Sequence, residues 1–466
     1  MQSAMGSCAP MQLFAQECPH RVHCVRSTDA ACSRIARAKD FRPTHFHTGG
    51  LTPMTMKVFS MSTALAHTIA PLCPPEPELT PSEMLARAKA MIPMLRSRQM
   101  ETEGAGRLLE VANEEFRKAG FYRVVQPRRF GGYEFSLSTY VSLMMEIARG
   151  CPSSGWVLAL ISGHPIMLAD FSERAQEEAY GSGGDYRCPS VGSPVPVKRE
   201  RGGFRLSGSW DYASGCDIST HAMVSGLVPE EDGNFVAKLM LIDRKDYSIV
   251  DNWQMMGMQG SGSRRVVVDD VFVPDYRTAA MAMWQAPGTA ATHANPMYNG
   301  RKGSFFLIEL GAVVVGTVKG ALDLYEEICR SKKMRFPPRI PLYESHEYQQ
   351  YFGDAQAKLD AAEALLLKVT ENYVNACSAD PITGGAFSEE TDRRLFATAQ
   401  QACMMAWDAL EIIFTTAGTS IGTRDSMLAR LYRDASVQKT HFVMQNSRTA
   451  VNAARLHFGL PSLTPF

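Results

Sequence analysis

The spacing of apolar residues predicts helices in the first ordered part of the chain. Thr80-Pro81-Ser82-Glu83 is a helix-start signal, and apolar residues follow it at helical spacing. We predict further helices at residues 104–119, 137–149, 154–171 and 173–180, with an extended segment at 121–126. Together they indicate an N-terminal helical domain over residues 76–185.

The period of the pattern then changes to two, which is typical of strands. Candidate strands, separated by Gly and Asp turns, lie at residues 204–207, 222–227, 237–242, 248–253 and 265–273. These predict a central antiparallel β domain over residues 186–280. The segment 281–302, rich in Ala, Pro, Gly and Asn, is predicted to be a crossing loop.

The last part of the chain returns to a helical pattern. Four long segments, at residues 305–329, 347–376, 388–417 and 426–454, predict a C-terminal four-helix bundle over residues 303–466. The fold class is therefore α+β, in the order helical, β, four-helix. Residues 1–75 show no sustained period and no apolar core of a secretory signal, so we predict a disordered or mis-called N-terminal extension, with a targeting peptide as the alternative.

Charge and composition exclude several classes of function. The chain has 48 basic and 48 acidic residues, so no overall basic field favours nucleic acid or an anionic membrane. The two longest apolar stretches, 156–171 and 305–322, contain ionisable residues and predict buried helices rather than membrane spans. The 11 scattered cysteines suit reduced thiols in a cytoplasm. The cluster Cys18-Pro19-His20-Arg21-Val22-His23-Cys24 matches no usual zinc spacing, and we predict no metal.

The segment 208–217 is the first candidate for chemistry. It follows a predicted short strand, sets Trp210, Tyr212 and Ser214 close together, and ends in a Ser-Gly turn. An aromatic face can wall off a flat redox-active ring, and a small hydroxyl can donate a hydrogen bond to it. The alternative is an ordinary turn with a buried Trp.

A nicotinamide site is not indicated. The glycine-rich segment 257–263 is followed by a predicted strand, whereas a dinucleotide fingerprint needs a strand before it and a helix after it.

An ordered set of motifs from about Thr80 to the C-terminus resembles a known family. The motifs are Cys151-Pro152-Ser153-Ser154-Gly155-Trp156, the segment 208–217, the segment 253–263, Val271-Phe272-Val273-Pro274, Arg433-Asp434 followed by His441, and His457-Phe458-Gly459-Leu460-Pro461. They are similar to the acyl-CoA dehydrogenase fold. More specifically, they resemble the oxygenase components of two-component flavin-dependent monooxygenases, which include 4-hydroxyphenylacetate 3-hydroxylase and the phenolic secosteroid hydroxylase.

This resemblance implies a reaction and its partners. Reduced FMN or FAD would come from a separate NAD(P)H-dependent flavin reductase, react with O2 to a C4a-hydroperoxyflavin, and hydroxylate a phenolic or related aromatic substrate. A homotetramer is also implied. Many acyl-CoA dehydrogenases place a catalytic Glu shortly after an Arg-Asp pair, and here His441 stands at that position. An acyl-CoA dehydrogenase, an N- or S-oxygenase on the same scaffold, and a degenerate flavin-binding subunit remain alternatives.

The resemblance assigns three catalytic candidates. His441, expected on a polar helical segment, would take or hold the proton of a phenol. Ser214 would donate near the N5 or C4a edge of the flavin, and His164 would lie near the substrate pocket. Their alternatives are a structural His, a turn hydroxyl that caps its own backbone, and a satisfied core His.

The remaining candidates are expected to bind the cofactor. Arg335 would reach the flavin phosphate of a neighbouring subunit, with solvated surface charge as its alternative. Core packing is the alternative for the two Trp residues. The cofactor-binding set is Trp156, Ser209, Trp210, Ser214, Ser263, Arg335, Gly418 and Thr419.

Overall fold

The computed structural model describes residues 72–181, 183–230, 233–281, 294–378 and 387–463. All of them belong to one compact unit, Thr68–Phe466. Nearly all of the predicted N-terminal extension and most of the predicted crossing loop lie outside the described residues.

The first part of this unit is helical, as predicted. Its helices are α1 (Pro81–Ser97), α2 (Gln99–Ala105), α3 (Glu110–Lys118), α4 (Leu137–Gly150), α5 (Pro152–Gly163), α6 (Pro165–Leu168) and α7 (Glu173–Tyr180). The predicted helix start is confirmed, because the Thr80 hydroxyl accepts from the Glu83 amide and the Glu83 carboxylate accepts from the Thr80 amide.

Three local predictions in this part were wrong. The predicted helix 104–119 is interrupted where Gly106 takes a left-handed conformation with φ 61° and ends α2. The predicted extended segment contains a 3-10 turn, Phe121–Arg123. The predicted helix 154–171 is divided after Gly163, and Pro165 opens the short α6.

Two four-stranded sheets follow. Their strands are β1 (Val195–Pro196), β2 (Lys198–Glu200), β3 (Gly203–Ala213), β4 (His221–Pro229), β5 (Phe235–Asp243), β6 (Ser248–Val250), β7 (Arg264–Pro274) and β8 (Thr278–Ala280). The sheet orders are β1-β4-β5-β8 and β2-β3-β7-β6. Side chains from β3, β4, β5 and β7 share one apolar core.

The β part differs from the prediction in two ways. The β1–β4 pair is parallel, whereas every other strand pair in the two sheets is antiparallel. Strand β3 does not end at Ser207 but continues to Ala213, with register shifts against β7 after Leu206 and after Trp210. The segment predicted to follow a short strand is therefore mostly strand itself.

The C-terminal part is built on long helices. They are α8 (Lys302–Ser331), α9 (His346–Cys377), α10 (Glu389–Thr416), α11 (Met427–Lys439) and α12 (Asn446–His457). Helix α8 is long and apolar enough to cross a membrane, but 83% of its most apolar window is buried inside the protein. It packs against α4, α5, α9, α10 and α11, so the prediction of a buried helix is confirmed, as is the α+β fold class.

The last predicted helix, 426–454, is broken. Helix α11 ends at Lys439 and α12 begins at Asn446, with a 3-10 turn, Phe442–Met444, between them. The break is fixed because the side chain of Gln400 donates to the Met444 carbonyl at 3.0 Å and the Val443 and Met444 side chains are buried.

Close packing of α8 on α4 gives a stability prediction. A Cβ added at Gly316 would lie 2.3 Å from the Met145 carbonyl oxygen, so Gly316→Ala should push the helices apart and lower the free energy of unfolding by about 1–3 kcal/mol. Gly353 on α9 has nothing within 4 Å, so Gly353→Ala should raise it by up to about 1 kcal/mol. Urea unfolding of both variants checks this. A Gly316→Ala variant that unfolds at the same urea midpoint as the wild type would contradict the close contact of α8 with α4.

Candidate functional site

Helix α5 brings the first site residue into place. Pro152 occupies its first turn, where a missing N–H costs nothing. A Cβ on Gly155 would lie 2.7 Å from the Ala148 Cα, so the glycine lets α5 approach α4 closely. Trp156 follows directly and is 7% exposed.

Three serine hydroxyls form a chain of hydrogen bonds that begins at the Trp156 indole. The Trp156 Nε1–H donates to Ser214 Oγ at 3.2 Å, Ser214 Oγ lies 2.7 Å from Ser263 Oγ, and Ser263 Oγ lies 2.7 Å from Ser261 Oγ. All three serines are buried. We call Ser214, Ser263 and Ser261 the serine row. It joins the end of β3 to the turn before β7.

The sequence analysis predicted that Trp156, Ser214 and Ser263 share a site, and the structure brings these three into hydrogen-bond contact. Ser261 was missed. Its signal was the alternation Gly260-Ser261-Gly262-Ser263, which puts two hydroxyls on one short turn.

His441 lies beside the indole. Its ring centroid is 5.6 Å from that of Trp156, 5.8 Å from Phe306 and 4.8 Å from Phe442. The prediction of a helical position was wrong, because His441 stands just beyond the end of α11 and opens the 3-10 turn. Burial lowers the pKa of His441 to about 4, so the imidazole is neutral at pH 7. Its Nδ1 is buried without a hydrogen-bond partner among the described residues.

His164 occupies a different position, at the C-terminal end of α5. It is 1% exposed, and its Nδ1 lies 2.5 Å from the Cys188 carbonyl oxygen. A carbonyl oxygen only accepts, so Nδ1 carries the proton and donates. Burial lowers the pKa of His164 to about 4. These contacts are those of a satisfied core histidine, and a place near the substrate stays a prediction.

The two aromatic residues of segment 208–217 have opposite surroundings. Trp210 is 1% exposed within the apolar core of the sheets, and its Nε1–H donates to the Ser225 carbonyl at 3.1 Å. The proposed wall is therefore not formed by Trp210, which has the packing role given above as its alternative. Ser209, its neighbour on β3, is exposed.

Tyr212 was named with Trp210 and Ser214 in segment 208–217 but was given no role of its own. It is 69% exposed, has φ 69°, and meets the Trp253 ring edge-on at 6.0 Å. A bulky residue at positive φ is strained and is characteristic of functional positions. The strain follows from the register shift between Trp210 and Ala213, which sequence alone does not reveal.

Hydrogen bonds connect the glycine-rich turn, residues 257–263, and the preceding Met256 to helix α11. The Met258 N–H donates to Asp434 Oδ1, and the Arg433 side chain donates to the Met256 carbonyl at 3.1 Å. Asp434 is 2% exposed, and burial raises its pKa to about 6. The Arg-Asp pair of the sequence motif thus holds the turn that bears Ser261 and Ser263.

Arg335, Gly418 and Thr419 lie far from this cluster. All three are exposed, and Lys332 Nζ donates to Ser420 Oγ at 2.7 Å, so the two segments meet at the C-terminal end of α8. At 1.5 Å per residue, that end is roughly 37 Å along α8 from Phe306, and roughly 21 Å from Thr317, whose hydroxyl accepts from the Gln438 side chain beside Met258. A groove of about 390 Å³ lies there, bordered by Lys332, Ser420 and Ser426 among others. The three residues therefore do not contact the serine row of their own subunit.

The residues around the serine row fit a flavin. The polar edge of an isoalloxazine alternates nitrogen and oxygen atoms, and hydroxyls can donate to or accept from either. Ser153 Oγ and Ser154 Oγ are buried without hydrogen-bond partners among the described residues, so they have unused hydrogen-bonding capacity next to the turn. A Cβ at Gly260 would lie 2.5 Å from Thr102 Cγ2 and 3.1 Å from Ser153 Cβ, so the glycine lets this turn pack closely on α2 and α5. No group of three or more His, Cys, Asp or Glu in the described part of the chain could hold a metal.

Comparison with known proteins gives the family. The model of the acyl-CoA dehydrogenase C-terminal domain matches residues 308–446. The flavin-dependent monooxygenase oxygenase subunit HsaA of Rhodococcus jostii is 30% identical over 385 residues, which cover 81% of this chain and 98% of that protein. The oxygenase component of p-hydroxyphenylacetate 3-hydroxylase from Acinetobacter baumannii is 24% identical over 369 residues, covering 78% and 86%.

A solved structure agrees. The 3-HSA hydroxylase of Rhodococcus sp. RHA1 superposes with a TM-score of 0.75 at 28% identity, covering 82% of this chain and 98% of that one. Because the relative from Rhodococcus jostii is 30% identical over most of both chains and the fold agrees, the chain belongs to the family of flavin-dependent monooxygenase oxygenase subunits.

Proposed function

We propose that this chain hydroxylates a phenolic or related aromatic substrate with O2 and reduced FMN or FAD, which a separate NAD(P)H-dependent reductase supplies. The observation that carries the proposal is a neutral His441 beside Trp156 and the serine row, at the position where many acyl-CoA dehydrogenases have a carboxylate. Relatives named FADH2-dependent resorcinol hydroxylase and p-hydroxyphenylacetate 3-hydroxylase support a phenolic substrate.

The serine row would bind the flavin. Trp156 Nε1–H donates to Ser214 Oγ, which places the Ser214 oxygen before a ligand arrives. Ser263 Oγ lies 2.7 Å away, and either hydroxyl can donate in that pair; when Ser263 donates, the Ser214 O–H is free to donate to the flavin. Such preorganisation removes reorientation cost at the reacting edge. The reduced flavin, when bound, supplies the electrons that activate O2 for oxygen transfer.

His441 would move the substrate proton. Since burial lowers its pKa, the imidazole is unprotonated at pH 7 and one ring nitrogen can accept a hydrogen bond from the O–H of a phenol. Transfer of the proton along that bond while the ring attacks would leave the ring electron-rich, as attack on an electrophilic oxygen requires. The Trp156 and Phe306 rings around His441 keep water from this position.

Tyr212 would take the role first expected of Trp210. Its exposed phenol lies two residues before Ser214, and its strained backbone turns it away from the sheet core. We infer that it covers one face of the flavin ring.

The far end of α8 would serve a second subunit. Because Arg335, Gly418 and Thr419 lie away from the serine row of their own chain, we infer that their contact with a cofactor is made to that of a neighbouring subunit, as a homotetramer would allow. A cytoplasmic location fits the scattered cysteines, seven of which are free within the described residues.

The acyl-CoA dehydrogenase alternative has less support. It needs a carboxylate base, and some dehydrogenases carry one on another helix. Glu309 on α8 is a buried carboxyl on another helix, but it is 0% exposed and accepts from Tyr140 OH at 3.0 Å. Burial raises the pKa of Glu309 well above its usual value, which disfavours the charged form that a base needs, and the side chain is enclosed.

Turnover with a reductase tests the proposal directly. The protein, a generic flavin reductase, NADH and a panel of phenols, indoles and thiophenes are incubated under ¹⁸O2. We expect one labelled oxygen in a phenolic product. Peroxide release alone with every phenol, or bleaching of bound flavin by an acyl-CoA, would contradict it.

Replacing His441 should separate flavin oxidation from hydroxylation. His441→Ala and His441→Gln should lower product formation by roughly 100-fold or more, since general base catalysis is lost, while O2 is still consumed to peroxide. Product and peroxide are measured together. His457→Gln, on an exposed side chain of α12, is the matched control and should keep full activity. Full product yield in both His441 variants would remove the base assignment.

Ser214→Ala should weaken flavin binding. It leaves Trp156 Nε1–H and Ser263 Oγ without their shared partner, so we expect a roughly 10-fold rise in the flavin Kd, equivalent to about 1.4 kcal/mol. Fluorescence titration with FMN and FAD measures it. Ser248→Ala, exposed on β6, should leave Kd unchanged. Identical affinities in the two variants would refute the role of Ser214.

The pH profile should show the low pKa of His441. An ordinary histidine loses its basic form below about pH 6.5. Because the folded pKa is about 4, the neutral ring persists, and kcat/KM for product should hold its plateau down to about pH 5 and fall below it. Stopped assays at each pH, with circular dichroism to confirm folding, measure this. An acid limb centred at pH 6.5 that vanishes in the residual activity of His441→Gln would contradict it.

A further inference from the structure

Met258 is held by four separate contacts. Its N–H donates to Asp434 Oδ1, and its carbonyl accepts from Trp253 Nε1–H at 3.0 Å and from the Ser261 N–H at 3.1 Å. Gln438 Nε2 lies 3.6 Å from its sulfur. The residue has φ 56°, a conformation that a non-glycine residue keeps only where its surroundings enforce it.

The backbone of the turn also lies directly on α11. A Cβ added at Gly257 would be 2.4 Å from the Arg433 carbonyl oxygen and 2.8 Å from the Asp434 nitrogen. Only glycine allows this approach. The turn therefore sits on the same helical turn that presents the Asp434 carboxylate.

These contacts continue into the reaction site. From Met258 the path runs through Ser261 to the rest of the serine row, then to Trp156 and across to His441. His441 comes seven residues after Asp434, just past the end of α11. Helix α11 thus holds the site at two points, the amide of Met258 and the ring of His441.

We propose that Asp434 is a positioning residue for the reaction: by holding the Met258 amide, it fixes the serine row beside Trp156, while His441, just beyond the C-terminal end of the same helix, lies on the other side of that indole. This inference rests on the proposed function. The alternative is that Asp434 only stabilises the fold, together with Arg430, Arg433 and Glu103 around it.

Two substitutions separate these roles. Asp434→Asn keeps a side-chain oxygen that accepts from the Met258 N–H, whereas Asp434→Ala removes it. We expect Asp434→Ala to raise the Kd of oxidised FMN or FAD roughly 10-fold, and to lower the product formed per flavin oxidised several-fold as peroxide replaces product. Asp434→Asn should restore both within about 2-fold. Asp408→Ala, on an exposed aspartate of α10, is the matched control and should change neither.

Hydrogen exchange provides a readout that needs no turnover. In the wild-type protein the Met258 amide should be strongly protected, and in Asp434→Ala it should exchange much faster while amides of α8 stay protected. Unchanged flavin affinity and product ratio in folded Asp434→Ala would overturn the inference. If that variant does not fold, a Met258 amide that exchanges freely in the wild type would overturn it.

The two proposals fail in different ways. If the wild type hydroxylates no phenol, the proposed function is lost, but flavin affinity and amide exchange still report on Asp434. If the wild type hydroxylates and Asp434→Ala does so with the same Kd and product ratio, only the positioning role is lost.

Discussion

Burial of helix α8 is the constraint on which the other helical elements depend. Its apolar surface leaves solvent only because α4, α5, α9, α10 and α11 pack around it, and glycines such as Gly316 bring its backbone against its neighbours. Helices α5 and α11 are aligned by the same packing. Trp156 and His441 therefore come into ring contact, and Phe306 of α8 packs against the same imidazole.

The length of α8 also divides the subunit into two functional ends. One end has the serine row and His441, and the other has Lys332, Arg335 and the 418–420 segment. A rigid helix cannot bring these ends together. In the proposed assembly of several subunits, a single long helix would contribute to two cofactor sites, which would account for the separation of the two groups of candidate residues.

Much of the fold could be predicted from the sequence, because the patterns that indicate its elements involve residues close together in the chain. The capping box at Thr80, the change of period near residue 186 and the apolar run of α8 each depend on neighbouring residues. The grouping of Trp156, Ser214 and Ser263 came from motif order, and the contacts agree with it. What could not be predicted was set by tertiary contacts. The break after Lys439 contains neither Pro nor Gly and is held by Gln400, and the opposite orientations of Trp210 and Tyr212 come from a register shift against β7.

The strained backbone of Tyr212 bears on how the protein could be engineered. A left-handed conformation costs a non-glycine residue of order 1–3 kcal/mol, and an exposed ring recovers little of it by packing. Glycine or asparagine at this position would relieve that cost. Selection for heat resistance alone would therefore favour the loss of Tyr212, and a thermostable variant obtained that way would exchange the aromatic cover proposed for the flavin for a higher melting temperature.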